Sequence, residues 1–365
     1  MSATGIARRD PAALQVRRDV LRLIDAAWTT QAIATAVRLG LMDRMAAQPA
    51  DAEQLGRDCA CDLPSMGRLL HALACLGLLS QGADGRFALT ESGQWLRTDR
   101  AEADTLADWA LLSGERLWGQ WSQLEACLRS GRSARSLTTG SDDFGYLNRD
   151  GTMAQRFNRA MANLSGVVAD ALLHQGLLAG LAWFVDVGGG SGELAARLCG
   201  GQPGLRATVQ DMPHAQAAAL QRFSDDGLQA RCDFVAADMF SEVPPSADAY
   251  LFKSVLHDWA DGHCATILRV CRRCMAADSR LLLVERLMPE GPADSPHARA
   301  VARADLQMMV STGGRERTAA QYERLLAQAG LCLVDVAALR DTDFSCLVAI
   351  PAVAGGATQR PGVQP

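Results

Sequence analysis

The stretch WFVDVGGGSGELAARL, residues 183–198, decides how this chain folds. Five residues with the composition of a buried strand lead into glycines at 188, 189, 190 and 192, and a helical pattern begins at Glu193. A glycine turn between a strand and a helix is typical of α/β folds, because glycine adopts the positive φ angles that a tight turn needs. The stretch therefore predicts the first strand and helix of a parallel sheet.

Short apolar runs continue this pattern toward the C-terminus, with helical patterns between most of them. The runs are ATVQD at 207–211, CDFVAAD at 232–238, DAYLFKSV at 248–255, RLLLVER at 280–286, LCLVDVAAL at 331–339 and FSCLVAI at 344–350. Together with WFVDV they predict a doubly wound, mostly parallel seven-stranded sheet, which is a Rossmann-like α/β fold.

The N-terminal part has a different pattern. Apolar residues recur at helical spacing over 11–46, and the next segment is typical of helix, turn, helix and a small β-wing. Asp62 or Pro64 is expected to start the second helix, and the residues ADG at 83–85 are expected to form the wing turn. This order of elements predicts a winged helix.

Residues 101–180 are again helical by pattern, interrupted by a polar loop at 130–143. These changes of pattern along the chain indicate that it has three parts. We expect a helical, winged-helix domain over 1–165, the sheet domain over 166–352 and a disordered Gly/Pro-rich tail over 353–365.

Composition restricts the class of partner and the compartment. The net charge of −5 and the pI near 5.7 argue against nucleic acid or an anionic membrane as the main partner. We find neither an apolar run long enough to span a membrane nor a secretory signal. The 11 cysteines are scattered without regular spacing, which indicates reduced thiols and a cytoplasmic protein.

The glycine spacing indicates which ligand the turn accepts. A dinucleotide fingerprint that starts at Gly188 would need glycine at 193, where the chain has glutamate. The spacing is instead Gly188, Gly190 and Gly192, and Glu193 would repel a pyrophosphate. A ligand with an adenosine and a cation fits better, and S-adenosylmethionine is such a ligand.

Acidic residues at the ends of the next two strands support an adenosine ligand. Asp211 is placed to accept hydrogen bonds from ribose hydroxyls, and Asp238 to accept from an adenine amino group while Met239 packs on the ring. Lys253, on the fourth strand, is a further candidate contact to the cofactor. All of them are expected at the carboxyl edge of the sheet, where ligands bind in open α/β folds.

The fourth strand leads into His257, Asp258 and Trp259, in LFKSVLHDW at 251–259. Neutral His257 at this edge could take the proton of a phenol as its oxygen attacks a methyl sulfonium. A carboxylate on the other ring nitrogen would fix the tautomer, and Glu285 and Glu316 are the two candidates. Asp258 is expected to cap the next helix.

Apolar residues of the helical middle section and of later segments could clamp a flat aromatic ring. The candidates for this substrate pocket are Trp109, Phe157, Met161, Trp259, Met308 and Met309.

The motifs VDVGGGSG, QDMPHA, AADMF, LFKSVLHDW, VER and GGRERT, in this order, resemble the S-adenosylmethionine-dependent small-molecule O-methyltransferases of plants and bacteria. The resemblance covers nearly the whole chain, and it implies a homodimer formed through the N-terminal winged-helix domain. It also implies methylation of an aromatic secondary metabolite, with S-adenosylhomocysteine as product. It matches Gly188, Asp211, Asp238, Met239 and Lys253 to cofactor positions, His257 to the base, and Glu285 and Glu316 to its flanking acids.

Other functions stay open at this point. The same fold could methylate nitrogen or carbon, or bind the cofactor while catalysing decarboxylation or hydroxylation. A winged helix can also bind DNA, but PSMGRLLHALACLGLL at 64–79 carries few of the side chains that read bases. A metal-dependent catechol-type methyltransferase would need clustered Asp or Asn ligands, and His257 instead predicts activity without metal.

Overall fold

The computed structural model describes residues 11–142 and 144–352, so the tail predicted over 353–365 lies outside the described residues. The chain forms two compact units, one up to Trp118 and one from Gly119 onward. The domain boundary expected between residues 165 and 166 stays a prediction. In the described ranges, no helix has the length and apolar character needed to cross a bilayer.

The first unit is mostly helical, with one small hairpin. Its elements are α1 (Pro11–Arg38), α2 (Leu41–Arg44), α3 (Ala52–Asp58), α4 (Leu63–Cys75), β1 (Leu79–Gln81), β2 (Phe87–Leu89), α5 (Glu91–Gln94), a 3-10 turn (Glu102–Asp104), α6 (Ala107–Leu112) and a π-helical turn (Ser113–Leu117).

The predicted winged helix is confirmed in this unit. Helix α4 begins where the sequence places it, because the Asp62 carboxylate accepts a hydrogen bond from the Ser65 backbone N–H at 2.9 Å. Strands β1 and β2 pair antiparallel, and Gly85 takes φ +81° in the turn between them. Met66, Leu70 and Leu73 of α4 lie in the core of the unit.

The second unit contains the sheet and the helices that cover it. The helices are α7 (Trp118–Trp121), which starts at the unit boundary, α8 (Leu124–Ser130), α9 (Ala134–Thr139), α10 (Gly151–Asn163), α11 (Gly166–His174), α12 (Glu193–Gly201), α13 (Pro213–Asp225), α14 (Asp261–Cys274), α15 (Pro296–Ser311) and α16 (Ala319–Gln328). The strands are β3 (Trp183–Val187), β4 (Arg206–Asp211), β5 (Cys232–Ala236), β6 (Ala249–Lys253), β7 (Arg280–Glu285), β8 (Leu331–Ala338) and β9 (Ser345–Pro351).

Helix α9 corrects one expectation, because it lies inside the segment 130–143 that the sequence indicates as a polar loop. The Ser133 hydroxyl caps its first turn by accepting from the Ser136 backbone N–H at 2.9 Å, and Gly140 ends it with φ +83°. Serine and glycine at the two ends of a short helix are ordinary caps, so a polar composition hides the helix between them.

The seven strands of this unit form one sheet in the order β5-β4-β3-β6-β7-β9-β8. Strands β3 to β7 are parallel, and β9 pairs antiparallel with both β7 and β8. Buried apolar side chains fill both faces of the sheet, which confirms the predicted doubly wound α/β fold. The strand order reverses at β3, between β4 and β6, and ligands bind at such a switch point.

Candidate active site

The glycine turn after β3 is held open toward the carboxyl edge of the sheet. Gly188, Gly190 and Gly192 have φ angles of +72°, +56° and +74°. The Gly190 backbone N–H donates to the Asp211 carboxylate at 2.8 Å, so the end of β4 fixes the turn. No described atom lies within 4 Å of the place where a Cβ of residue 190 would be, and a ligand could therefore lie there.

Asp186 lies against this turn and was not among the site residues predicted from the sequence. Its side chain is buried within β3, and a Cβ on Gly189 would lie 2.6 Å from its carboxylate. Burial raises the pKa of Asp186 to about 7, and the nearby Asp211 charge adds to the increase while Lys253 opposes it. The signal was a single acid inside an otherwise apolar strand.

The strand ends bring the predicted adenosine acids to the same edge. Asp211 is the last residue of β4, and Asp238 lies two residues beyond the end of β5, with its carboxylate exposed. Met239 is half-buried against the core. These residues and the open turn fit an adenosine-containing ligand, because the carboxylates can accept hydrogen bonds and the thioether can pack on a ring.

Lys253 is the last residue of β6, next to the same edge. Its ammonium donates to the Ser165 hydroxyl at 3.4 Å. Burial lowers the pKa of Lys253 to about 8, and the positive charge of Arg286 lowers it further against the pull of Glu285 and Asp186. A half-buried cation therefore lies at this edge of the sheet.

His257 lies on a turn and not on the strand itself. Strand β6 ends at Lys253, Ser254 takes φ +57°, and a 3-10 turn follows over Leu256–Asp258. A non-glycine residue in the left-handed region is strained, and such strain often occurs at functional sites. The turn places the imidazole against the ends of β7 and of the segment before α16.

Two buried carboxylates meet one nitrogen of this imidazole, as the sequence suggested. His257 Nδ1 lies 3.1 Å from Glu316 Oε1 and 3.6 Å from Glu285 Oε2. His257, Glu285 and Glu316 are 5%, 0% and 3% exposed. Glu285 Oε1 also accepts from the Val255 and Leu256 backbone N–H groups at 3.2 and 2.9 Å, so this acid shapes the turn as well.

The cluster changes the protonation expected for His257. Burial lowers the pKa of the imidazole, but the charges of Glu285 and Glu316 outweigh it and raise the pKa to about 9. Burial also raises the pKa of Glu285 to about 7, against the opposing effect of His257. The prediction from the sequence assumed a neutral His257. In the free protein the raised pKa instead favours the imidazolium.

Asp258 does not cap the next helix, so that expectation is wrong. Helix α14 has Ala260 at its N-cap without a side-chain hydrogen bond, and Trp259 and Ala260 are both extended. These two extended residues carry the helix start away from Asp258. Its Oδ1 lies instead 3.9 Å from His257 Nε2, on the side of the ring opposite Glu316.

An aromatic cluster includes two of the predicted pocket residues. Trp259 packs edge-on against Phe240, with ring centroids 4.8 Å apart, and it lies 5.9 Å from Phe144. Phe144 in turn lies 6.0 Å from Phe157. Phe144 and Phe240 were missed by the sequence analysis, because isolated phenylalanines near loops carry no periodic signal.

The positions of the other four predicted pocket residues do not by themselves establish a contact with the substrate. Met309 packs in a small apolar cluster with Cys127, Ala134 and Val310, which fits a core role. Met161 and Met308 are half-buried on α10 and α15, and Trp109 is half-buried on α6 of the first unit. A substrate contact by these four side chains stays a prediction.

A Rossmann-like sheet with an open glycine turn, acids at its strand ends and a buried histidine at the same edge fits the class of S-adenosylmethionine-dependent methyltransferases. Family models make the assignment specific. The O-methyltransferase domain matches residues 121–332, and the O-methyltransferase dimerisation domain matches residues 21–99. The chain belongs to the O-methyltransferase family and is an S-adenosylmethionine-dependent enzyme.

Named relatives agree with this family. Phenazine O-methyltransferase PhzM from Lysobacter antibioticus is 32% identical over 314 residues, which cover 86% of this chain and 90% of that protein. The 3-amino-4-hydroxybenzoate 4-O-methyltransferase from Streptomyces cremeus is 35% identical over 324 residues, covering 88% and 87%.

Solved structures show the same fold. The crystal structure of LaPhzM has a TM-score of 0.86 at 31% identity, covering 92% of this chain and 99% of that one. NcsB1 from neocarzinostatin biosynthesis, in complex with S-adenosylmethionine and 2-hydroxy-5-methyl naphthoic acid, has a TM-score of 0.72 at 29% identity, covering 89% and 96%.

Proposed function

We propose that this enzyme methylates a phenolic hydroxyl of an aromatic secondary metabolite, with His257 as the general base. The observation that carries the proposal is the 3.1 Å contact between His257 Nδ1 and Glu316 Oε1. A carboxylate acceptor at Nδ1 holds the proton there, so in the neutral imidazole the lone pair lies on Nε2. Nε2 is then the atom that takes the proton of the acceptor.

The cofactor supplies an electrophilic methyl group carried on a sulfonium. Gly188, Gly190 and Gly192 would leave room for it, Asp211 and Asp238 would accept hydrogen bonds from its adenosine, and Met239 would pack on the adenine. Lys253 would contact it from the end of β6. A positive charge in this crevice disfavours the imidazolium and lowers the pKa of His257. Cofactor binding would therefore favour the neutral imidazole, which is the form that can accept a proton.

Most of the rate enhancement would come from positioning. Holding reacting groups close and aligned can lower a barrier by about 7–11 kcal/mol. General-base assistance contributes roughly 10²–10⁴-fold in addition. His257 lies on a turn that Glu285 holds through two backbone N–H groups, and this fixes the main chain that carries the imidazole.

The acceptor class is inferred from the apolar wall beside the base. Trp259, Phe144 and Phe157 form a chain of aromatic rings that starts two residues after His257. Such rings suit a flat aromatic acceptor. Relatives are named for phenazine, aminohydroxybenzoate and naphthoate substrates, which are compounds of this shape.

A homodimer is the assembly that the N-terminal unit supports. Exposed apolar residues recur every four positions along α1, at Val16, Val20, Ile24 and Trp28. This spacing places them on one helix face, which a second copy of the chain would cover. We also assign the enzyme to the cytoplasm, because its 11 cysteines are free thiols.

A screen of purified enzyme tests the proposed reaction. Aromatic metabolites with free hydroxyls are incubated with the cofactor, and mass spectrometry detects addition of one methyl group. We expect methylated phenols and no methylated N- or C-nucleophiles among matched compounds. Methylation restricted to amines or carbon acids would refute the phenolic assignment.

A further inference from the structure

The groups around His257 Nδ1 have the arrangement of metal ligands. One ligand atom each from His257, Glu285 and Glu316 lies within 4.8 Å of the others. The Nδ1 atom is 3.1 Å from one carboxylate oxygen and 3.6 Å from the other. Tetrahedral zinc with bonds of about 2.0–2.2 Å places adjacent ligand atoms about 3.4 Å apart. The two separations from Nδ1, 3.1 and 3.6 Å, bracket this value.

A second observation is independent of these spacings. Within the described part of the chain, Glu285 Oε2 and Glu316 Oε2 are buried without a hydrogen-bond partner. A buried carboxylate oxygen without a donor costs free energy, and a cation bound beside Nδ1 would remove that cost for Glu285 Oε2. Glu285 Oε2 is the oxygen that approaches Nδ1, so it already points into the proposed position.

We propose that His257, Glu285 and Glu316 form an inhibitory binding site for a divalent transition metal, with Zn²⁺ as the best fit. One imidazole and two carboxylates suit zinc, whereas calcium and magnesium prefer oxygen ligands alone. Two glutamates balance the ionic charge, so the occupied site is neutral in a buried place. A water molecule would complete the fourth position.

Inhibition follows from the nitrogen that the metal uses, and this step rests on the proposed role of His257 as base. Coordination requires the Nδ1 lone pair, so the Nδ1 proton leaves and the neutral ring carries its proton on Nε2. Nε2 then has no lone pair to accept the acceptor proton. Metal-loaded enzyme should therefore turn over as slowly as the variant without the imidazole, roughly 10²–10⁴-fold below the metal-free enzyme.

Cobalt binding tests the site without using activity. Full-length enzyme treated with chelator and dialysed is titrated with Co²⁺, and visible d–d absorption reports tetrahedral binding. A thiolate-to-cobalt charge-transfer band separates binding at cysteines from binding at nitrogen and oxygen. We expect one Co²⁺ to bind per chain, with d–d absorption and without the thiolate charge-transfer band. Zn²⁺ should displace this Co²⁺.

Variants locate the metal. His257→Ala and Glu316→Gln should lose the d–d signal, and Glu285→Gln keeps an acceptor for the two backbone N–H groups while weakening the site. Cys75→Ser, which removes an exposed thiol, should bind Co²⁺ as the wild type does. A signal that survives in His257→Ala, or a wild type without any d–d signal, overturns the site.

Activity then separates the two proposals. Zn²⁺ should lower turnover roughly 10²–10⁴-fold and a chelator should restore it, in the wild type and in Cys75→Ser alike. If Co²⁺ and Zn²⁺ bind at the triad but turnover persists in the loaded enzyme, the inhibition is refuted. If His257→Ala keeps wild-type turnover, the base assignment fails, although the metal site can still stand on its spectrum.

Discussion

At His257 the two ring nitrogens have different surroundings. Nδ1 is 3.1 Å from Glu316 Oε1, which is close enough for a charge-assisted hydrogen bond, whereas Nε2 is 3.9 Å from the Asp258 carboxylate. This asymmetry assigns separate tasks to the two sides of the ring. In the proposed mechanism, the Glu316 side fixes the tautomer and the Asp258 side receives the acceptor hydroxyl.

The first prediction removes the base. His257→Ala should lower kcat by roughly 10²–10⁴-fold, because positioning survives while proton removal is lost. Cofactor affinity, measured by calorimetry, should not fall below the wild-type value, since the glycine turn and the strand-end acids are unchanged and the variant lacks an imidazolium that would repel the sulfonium. His297→Ala serves as control, because His297 is exposed and its Nδ1 lies 3.4 Å from an Asp343 oxygen. Wild-type turnover in His257→Ala would contradict the mechanism.

The second prediction concerns pH. The imidazole must be neutral to accept a proton, so activity is lost as pH falls through the pKa of His257. That pKa is raised to about 9 in the free enzyme partly by the charge of Glu316. Glu316→Gln removes the charge but keeps an oxygen that accepts from Nδ1, so the acid limb of the rate profile should move to lower pH. NMR titration of the His257 ring checks the same shift, and an unmoved midpoint would exclude the electrostatic coupling.

Asp186 gives a third prediction, on stability. Its folded-state pKa of about 7 lies above the ordinary value, so the folded protein binds more protons than the unfolded chain at intermediate pH. Stability contributed by the neutral carboxyl is therefore lost as pH rises toward and through about 7. Asp186→Asn should raise Tm more at about pH 9 than at about pH 5 when thermal unfolding is followed by calorimetry. An equal change of Tm at both pH values would show that ionisation of Asp186 does not destabilise the folded protein.

At the scale of elements, the turn that carries His257 is held from two sides. Glu285, at the end of β7, accepts from the backbone of Val255 and Leu256. The segment before α16 reaches it from the other side, where the Arg315 backbone N–H donates to the His257 carbonyl at 2.8 Å. Buried Arg317 donates to the Leu256 and Trp259 carbonyls at 2.9 and 2.7 Å. The segments that supply Glu285 and Glu316 therefore also hold the backbone around His257.

Gly314 tests this arrangement. A Cβ at this position would lie 1.9 Å from the His257 carbonyl oxygen, so Gly314→Ala must push the segment and the turn apart. We expect a soluble variant with lower Tm and a kcat reduced by at least about tenfold, since small displacements of catalytic groups are costly. Gly262→Ala is the matched control, because no described atom lies within 4 Å of that Cβ and alanine favours the helix α14. Equal kcat values for the two variants would contradict the turn's role.

The sequence predicted features that depend on chain periodicity. The seven strands, the winged helix and the placement of Glu285 at a strand end follow from apolar runs and their boundaries. Other features depend on the backbone between elements. The 3-10 turn over Leu256–Asp258, after which Asp258 does not cap helix α14, depends on backbone φ and ψ angles. The contact between Phe144 and Trp259 depends on packing between segments that are distant in the sequence. A pattern of residue types does not contain that information.

At the scale of the whole molecule, the first unit has apolar surface that is exposed to solvent in a single chain. Trp28 is 68% exposed, on the same face of α1 as Val16, Val20 and Ile24. The family model for the dimerisation domain begins at residue 21, within this helix. Contiguous apolar surface on a helix is typical of an interface, because burying it against a partner releases ordered water.

The last prediction is therefore that Trp28→Glu converts the protein to monomers. A carboxylate buried in an apolar interface would be desolvated without a partner, and burying an unpaired charge is costly. Light scattering during size exclusion should give twice the chain mass for the wild type and the single-chain mass for Trp28→Glu. Leu128→Glu is the matched control, since Leu128 is 62% exposed on α8 of the second unit and should leave the dimer intact. A Trp28→Glu variant that stays dimeric, or a Leu128→Glu variant that dissociates, would place the interface on a face other than α1.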